Sequence, residues 1–305
     1  MDCRLAMSLL MEPQSVHCCV TSPPYFGLRD YGHADQLGLE QTPDEYISAM
    51  VDVFREVRRV LRDDGTLWLN IGDSYAGSGK GVWNATDERK AAVKEVYRPS
   101  SNPVKTVLPA NIKSKDLIGI PWMLAFALRA DGWYLRQEII WHKPNPMPES
   151  VTDRCTKAHE HIFLLSKSPR YYFDAEAIKE PAVNTRKPGR KITDTRETHG
   201  TGGGNSGINN LMARYHENSM PTHRNRRDVW TITTKPYKGA HFATFPPDLI
   251  EPCILAGSPI GGTVLDPFGG SGTTALVAQR TGRNAVLCEL NPDYVVLAQE
   301  RLARG

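Results

Sequence analysis

The chain has little that would mark a metal site, a disulfide scaffold or a membrane protein. Its six cysteines, Cys3, Cys18, Cys19, Cys155, Cys253 and Cys288, include no Cys-x-x-Cys pair. That argues against a structural zinc and against a disulfide framework, and it fits a reducing, cytoplasmic setting with no metal expected. No run of about 18 apolar residues occurs, so no membrane-spanning helix is expected. The N-terminus has no basic-then-apolar leader pattern. Charge of one sign is also scarce: 37 Lys and Arg against 34 Asp and Glu leave +3. Any preference for an acidic partner must then come from local clustering.

What is present suffices for one large core with an insertion, with 40% hydrophobic residues in 305. Val16–Val20 reads as a buried strand closed by T-S-P-P-Y, since two prolines cannot continue a central strand. Thr42 caps a helix with Pro43 at its first turn and Glu45 completing a capping box. Apolar residues at helical spacing carry it to Leu61, and Asp64-Gly65 ends it. Thr66–Ile71 is a second buried strand, so a β-α-β unit and a parallel sheet are predicted. A helix is expected over 117–129, strands over 133–141 and 161–165, and a helix over 247–256. Beyond it come a strand over 263–265, a helix over 274–281, a strand over 284–288 and a final helix over 292–303.

Two stretches break this pattern. Residues 76–115 are polar and rich in Gly, Lys and Ser, and read as a mobile insertion. Residues 179–238 hold twelve Lys/Arg against five Asp/Glu, a local charge of +7 (12 − 5), and include the spacer T-G-G-G-N-S-G.

Two motifs carry chemistry. Asp266-Pro-Phe-Gly-Gly-Ser-Gly-Thr-Thr274 lies between a strand and a helix, where glycines let backbone approach a ligand at a helix N-terminus. It lacks the lysine of a phosphate-binding P-loop and the third glycine of a dinucleotide fingerprint. Glu289 ends the next strand, where a carboxylate can grip a ribose diol. A nucleoside without phosphate, such as S-adenosylmethionine, suits these features. Thr21-Ser-Pro-Pro-Tyr25 also ends a strand. Its prolines remove two N–H donors and leave carbonyls as acceptors for an amino group, and Tyr25 offers a flat face for a base.

Together the motifs resemble the amino-group DNA methyltransferases, in which S/D/N-P-P-Y/F binds the target amine and D-x-F-x-G-x-G the methyl donor. The order, catalytic motif first and basic region between, resembles their β group. The likeness runs through G-T-L-W-L-N-I-G-D-S-Y, W-Y-L-R-Q-E-I-I-W-H-K-P-N and H-F-A-T-F-P-P-D-L, so it covers nearly the whole chain. It implies an α/β fold with a doubly wound, mostly parallel sheet, a β-hairpin edge and an inserted basic recognition region. The expected layout is a catalytic half over 1–175, a target recognition insertion over 176–238 and a donor-binding half over 239–305. The implied catalytic residues are Ser22, Pro23, Pro24 and Tyr25. The implied donor site is Asp266, Pro267, Phe268, Gly270, Gly272, Thr273, Thr274 and Glu289, completed by Thr244, Phe245 and Pro246. Family members carry a strand ending in Gly-Asp before the catalytic strand. Here the chain starts at Met1-Asp2-Cys3, so Asp2 is expected to take the role of meeting the donor's adenine. A truncated start or weak donor affinity is the expected consequence.

The expected reaction follows. Ser22 Oγ and the Pro23 carbonyl accept the two N–H groups of an extruded base, and the methyl passes in line to its nitrogen. A base inside a duplex cannot be reached, so it must flip out. Ser in place of Asp in the motif points to cytosine N4, with adenine N6 the alternative. No Pro-Cys nucleophile loop is present, which disfavours cytosine C5. Arg29, Asp30, Lys143 and Asn145 are candidate contacts around the flipped nucleotide, and Arg224, Arg226 and Arg227 candidate contacts to guanine edges or phosphates. The expected partners are double-stranded DNA and a separate cognate restriction endonuclease, with the chain a monomer or homodimer. Rival readings are methylation of RNA or of a protein glutamine, and a DNA-binding homologue that has lost catalysis.

Overall fold

Strand β1 (Val16–Thr21) is buried along almost its whole length, as a strand with sheet neighbours on both sides must be. In the computed structural model, which describes residues 1–33, 35–76, 109–182, 222–234 and 245–304, it lies inside a seven-stranded sheet of order β7-β3-β4-β2-β1-β8-β9. The other strands are β2 (Leu61–Ile71), β3 (Tyr134–His142), β4 (His159–Ser166), β7 (Val229–Thr231), β8 (Thr263–Asp266) and β9 (Asn284–Leu287). β1 runs parallel to β2 and to β8, and β8 parallel to β9. β4 is antiparallel to both β2 and β3, which gives the hairpin; β7 then adds in parallel to β3 at the edge.

Helices cover both faces. On one side α1 (Cys3–Leu10), α2 (Pro43–Val60) and α3 (Ile120–Ala130) bury Met7, Met50, Phe54 and Leu124 against Cys19, Leu67, Leu69, Phe163 and Leu265. The alternate residues face the other way. There α4 (Pro247–Gly257) comes so close that a Cβ on Gly257 would stand 2.6 Å from Cys18 Sγ and 2.7 Å from Trp68 Nε1. Helices α5 (Thr273–Arg280) and α6 (Pro292–Ala303) follow. The fold is a doubly wound, mostly parallel α/β sheet with an antiparallel hairpin.

The chain divides into two compact units, Met1–Asp174 with Arg227–Gly305, and Ala175–Arg226. The second unit, as far as it is described, holds a short 3-10 turn (Glu176–Ile178) and a two-stranded ladder of β5 (Glu180–Pro181) and β6 (His223–Arg224). Arg224 Nε donates to Glu180 Oε1 across that ladder at 2.8 Å. Most of the 76–115 stretch, the Gly-rich spacer at 201–207 and Thr244 lie outside the described residues.

Some elements differ from expectation. Helix α1 is not foreseen; Asp2 caps it by accepting the Arg4 N–H at 2.7 Å. β2 begins at Leu61 rather than Thr66, because Leu61 pairs with Val16 before a register shift brings Thr66 opposite Cys18. The helix expected from 117 starts at Ile120. Gly119, at φ 86°, offers no side-chain cap. The cap comes from afar: Asp73 accepts the N–H groups of Gly119 and Ile120, each at 3.0 Å through Oδ1. β7 falls inside the stretch read from composition as insertion, yet it extends the main sheet. No helix among the described residues is long and apolar enough to cross a membrane.

Candidate active site at the rim of the sheet

Parallel strands β1, β2, β8 and β9 all end at one rim of the sheet, the edge where open α/β sheets bind ligands. An antiparallel strand starts where parallel ones end. Its register sets His161 opposite Ile71 and His159 opposite His142. Glu160 on β4 and Lys143, just past β3, therefore arrive at the same rim as the T-S-P-P-Y loop.

The two motif loops are tied directly. Thr21 Oγ1 donates to Asp266 Oδ1 at 2.6 Å, Thr274 Oγ1 donates to Oδ2 at 2.6 Å, and Phe268 N donates to Oδ1 at 3.0 Å. Asp266 is 1% exposed. Burial pushes its carboxyl up to about 6, against the pull of these three donors. Tyr25 and Phe268 pack against one and the same core cluster.

In the donor loop, Gly272 sits at φ 76° where a Cβ would stand 2.9 Å from Ala298 Cβ. The α5 N-terminus that follows has no side-chain cap, and the first N–H groups of a helix have no intrahelical acceptor. Glu289 holds the loop from the next strand end: Oε2 accepts Gly270 N at 2.7 Å and Oε1 accepts Asn291 N at 2.8 Å. Arg301 is turned onto Ser271 Oγ and Thr273 Oγ1 at 3.0 and 2.9 Å. Asp2 accepts Arg4 Nη2 at 2.8 Å. Burial would raise its carboxyl, but the Arg4 hydrogen bonds outweigh that and hold it low. Its charge is felt by Cys288, the neighbour of Glu289. Phe245 and Pro246 lead into α4, which packs against α5.

At the T-S-P-P-Y loop, Tyr25 Oη donates to Glu160 Oε2 at 2.7 Å and Ser22 Oγ donates to Tyr25 Oη at 3.3 Å. Asn70 Nδ2 donates to Tyr25 Oη at 2.9 Å, Glu160 Oε2 at 3.1 Å and Ser22 Oγ at 3.4 Å. Lys143 Nζ donates to Glu160 Oε1 and lies 4.2 Å from the centre of the Trp141 ring. Tyr46 Oη donates to the Pro24 carbonyl at 2.9 Å. Gly72 backs the tyrosine ring so closely that a Cβ there would stand 2.7 Å from Tyr25 Cε2.

The remaining candidates are placed differently. Asp30 is exposed and accepts Gly32 N at 2.8 Å, and the Arg29 carbonyl accepts Gln36 Nε2 at 3.1 Å. Tyr31 beside them lies within electrostatic reach of Glu289 and Tyr294, so this stretch reaches the donor side. Asn145 exchanges two hydrogen bonds with the Thr234 backbone, at 3.0 and 3.2 Å. Arg224 and Arg226 belong to the smaller unit, and Arg227 is exposed where the main unit resumes. The histidines are engaged structurally: His161 Nδ1 meets Glu138 Oε1 at 2.6 Å and His142 Nδ1 meets Thr231 Oγ1 at 3.1 Å. Among the described residues no cluster could hold a metal ion.

Sequence reasoning placed Thr21 in the motif without giving it a role and missed Asn70 and Glu160. The available signal was a carboxylate leading an otherwise apolar strand, E-H-I-F-L-L, and an Asn at the end of another, L-W-L-N-I.

Three comparisons bear on this arrangement. The N6/N4 methyltransferase family model, described as a DNA methylase, matches residues 16–300. The Type II methyltransferase M.SmaI of Serratia marcescens is 48% identical over 294 residues, which is 96% of this chain and 86% of that protein. M.Cfr9I of Citrobacter freundii is 48% identical over 299 residues, covering 97% and 85%. Among solved structures, the cytosine-N4-specific PvuII DNA methyltransferase superimposes with a TM-score of 0.63 at 18% identity, covering 99% of this chain and 84% of that one. A candidate DNA modification methylase of Thermus thermophilus, in complex with S-adenosyl-L-methionine, gives 0.58 at 25% identity, covering 99% and 91%.

Proposed function

The chain belongs to the N6/N4 DNA methylase family, and on that premise we propose that it methylates the exocyclic N4 of cytosine in a base extruded from double-stranded DNA. S-adenosylmethionine is the methyl donor of this family's reaction, and the donor loop suits it. The loop offers uncapped N–H groups, a glycine where a side chain would strike Ala298, and a carboxylate at the next strand end. The Arg301 guanidinium nearby is held on Ser271 and Thr273 rather than aimed at a phosphate.

The observation that carries the proposal is the Thr21–Asp266 hydrogen bond of 2.6 Å. Thr21 is joined to Ser22 in the chain, and Asp266 opens the donor loop, so acceptor and donor sites share one buried fastening. The donor supplies an electrophilic methyl group. The protein's part is to hold the amine: Ser22 Oγ and the Pro23 carbonyl accept its two N–H bonds and turn its lone pair towards that methyl. Orientation of this kind contributes roughly 7–11 kcal/mol in well-aligned reactions. Tyr25, backed by Gly72, offsets part of the cost of extrusion, about a few kcal/mol. Cytosine is favoured over adenine by Ser22 itself, a neutral hydroxyl at the position that meets the amine. The Type II relatives support a site-specific enzyme paired with a separate restriction endonuclease.

Expression in a methylation-free host, with sequencing that distinguishes N4-methylcytosine from N6-methyladenine, tests this. N4-methylcytosine at one short site is the expected result, and N6-methyladenine in its place would reject the assignment of the target. Ser22→Ala should keep donor binding and lose most turnover.

A further inference from the structure

The hydroxyls of the catalytic loop form a one-way chain. Ser22 Oγ donates to Tyr25 Oη at 3.3 Å and Tyr25 Oη donates to Glu160 Oε2 at 2.7 Å. Asn70 fixes that direction. Its Nδ2 has two hydrogens to share among Tyr25 Oη, Glu160 Oε2 and, at 3.4 Å, Ser22 Oγ, and as a donor it can meet only their lone pairs, which leaves the hydroxyl hydrogens to point along the chain. The amide cannot sit the other way round, because its oxygen would then face the Glu160 carboxylate. In the orientation seen, Asn70 Oδ1 is buried without a donor among the described residues, a cost of about 1–3 kcal/mol that the rest of the cluster must outweigh.

Glu160 is an unusual residue to find there. Its side chain is 16% exposed, beside a Lys143 that is 18% exposed, and such pairs are weak evidence for stability alone. Burial pushes its carboxyl up, but Lys143, Tyr25 and Asn70 together outweigh that and keep it below the usual range. Tyr25 moves the opposite way: burial first and Glu160 second hold its hydroxyl protonated. The tyrosine is thus a neutral link and Glu160 a standing anion.

We propose that Ser22, Tyr25 and Glu160 are a proton path, and that Glu160 receives the proton the target amine loses as it is methylated. The proposal rests on the assignment of Ser22 to the amine made above. The amine nitrogen gives its lone pair to the methyl carbon while the sulfur–carbon bond breaks with its pair going to sulfur. One N–H bond then opens, its pair staying on nitrogen. Ser22 Oγ takes that proton and passes its own to Tyr25 Oη, which passes its own to Glu160 Oε2. The products are a neutral methylated amine, a neutral thioether and a protonated Glu160 that later returns its proton to water. No oxidant or further reactant is needed.

Tyr25→Phe tests this in the full chain, since it keeps the ring and removes the link. Single-turnover methyl transfer to a duplex carrying the target site should fall about a hundredfold, the low end of what a placed proton acceptor contributes. Donor binding by calorimetry should be unchanged. The native protein should show a normal solvent deuterium isotope effect on that step, and Tyr25→Phe should lose it. Adding Tyr25→Phe to Ser22→Ala should slow it no further, as groups acting as one unit do. If Tyr25→Phe does not fold, Lys143→Met with Glu160→Gln removes both charges together and should give the same loss. Tyr25→Phe within twofold of native, with Ser22→Ala inactive, overturns the path and leaves the role of Ser22 standing. A slow Tyr25→Phe with no isotope effect in the native protein also overturns it, for the hydroxyl would then be only a brace. An active Ser22→Ala removes the earlier assignment and the path with it.

Discussion

Asp266 takes three hydrogen bonds in a site that is 1% exposed, and burial still pushes its carboxyl up to about 6 from an ordinary 3.8. A carboxyl raised on folding binds its proton more tightly in the native state. Its contribution to stability is therefore complete below pH 3.8 and is lost as pH rises through about 6. Asp266→Asn has no such proton to lose. Urea unfolding followed from acid to neutral pH should show the native protein losing more stability across that window than the variant does. Parallel curves would mean that the carboxyl is not raised. Thr21→Val keeps shape and removes one donor, and should cost about 1–3 kcal/mol at neutral pH, where the carboxylate is charged. It should also weaken donor binding, because the same hydrogen bond seats the donor loop.

Elements show where sequence was readable. The α2 capping box and the α6 span from Pro292 to Ala303 follow from local residues, and so does the parallel β1–β2 pair. The start of α3 was not legible, because its cap is a side chain from Asp73 on another loop. The Glu160 cluster was not legible either. Its members sit on different strands, and only the antiparallel register of β4 brings them to the rim. Lys143, a candidate contact around the flipped nucleotide, has its ammonium engaged with Glu160. The strand–loop–helix turn around D-P-F-G-G-S-G was legible because strand, glycines and helix are consecutive. Its sharpest constraint is still tertiary: Gly272 has φ 76°, and α6 approaches to within 2.9 Å of where a Cβ would stand. Gly272→Ala meets both a left-handed backbone penalty of about 1–2 kcal/mol and a collision with Ala298. Calorimetry should show donor affinity falling sharply, together with a lower melting temperature. Native affinity in this variant would mean that α6 is not a wall of the site.

At the scale of the whole molecule, charge is distributed rather than plentiful. The chain carries +3 in total, yet residues 179–238 alone carry +7 (12 − 5). The rest is therefore −4 (3 − 7) overall, although residues 76–115 within it carry +5 (8 − 3), so long-range attraction to DNA must come through such local basic stretches. Each phosphate neutralised releases counterions, so the logarithm of the binding constant should fall with the logarithm of salt by about 0.9 per contact on duplex DNA. Arg224 is paired with Glu180 within its own unit, and Arg227 lies exposed at the point where the main unit resumes. Replacing Arg227 by Gln should weaken binding to target and non-target duplexes alike if it meets phosphate, and flatten the salt slope by about 0.9. Loss confined to the target site would assign it to a base edge instead. Arg224→Gln also frees the Glu180 carboxylate. A salt slope unaltered by replacing Arg224, Arg226 and Arg227 together would place the phosphate contacts elsewhere in the chain.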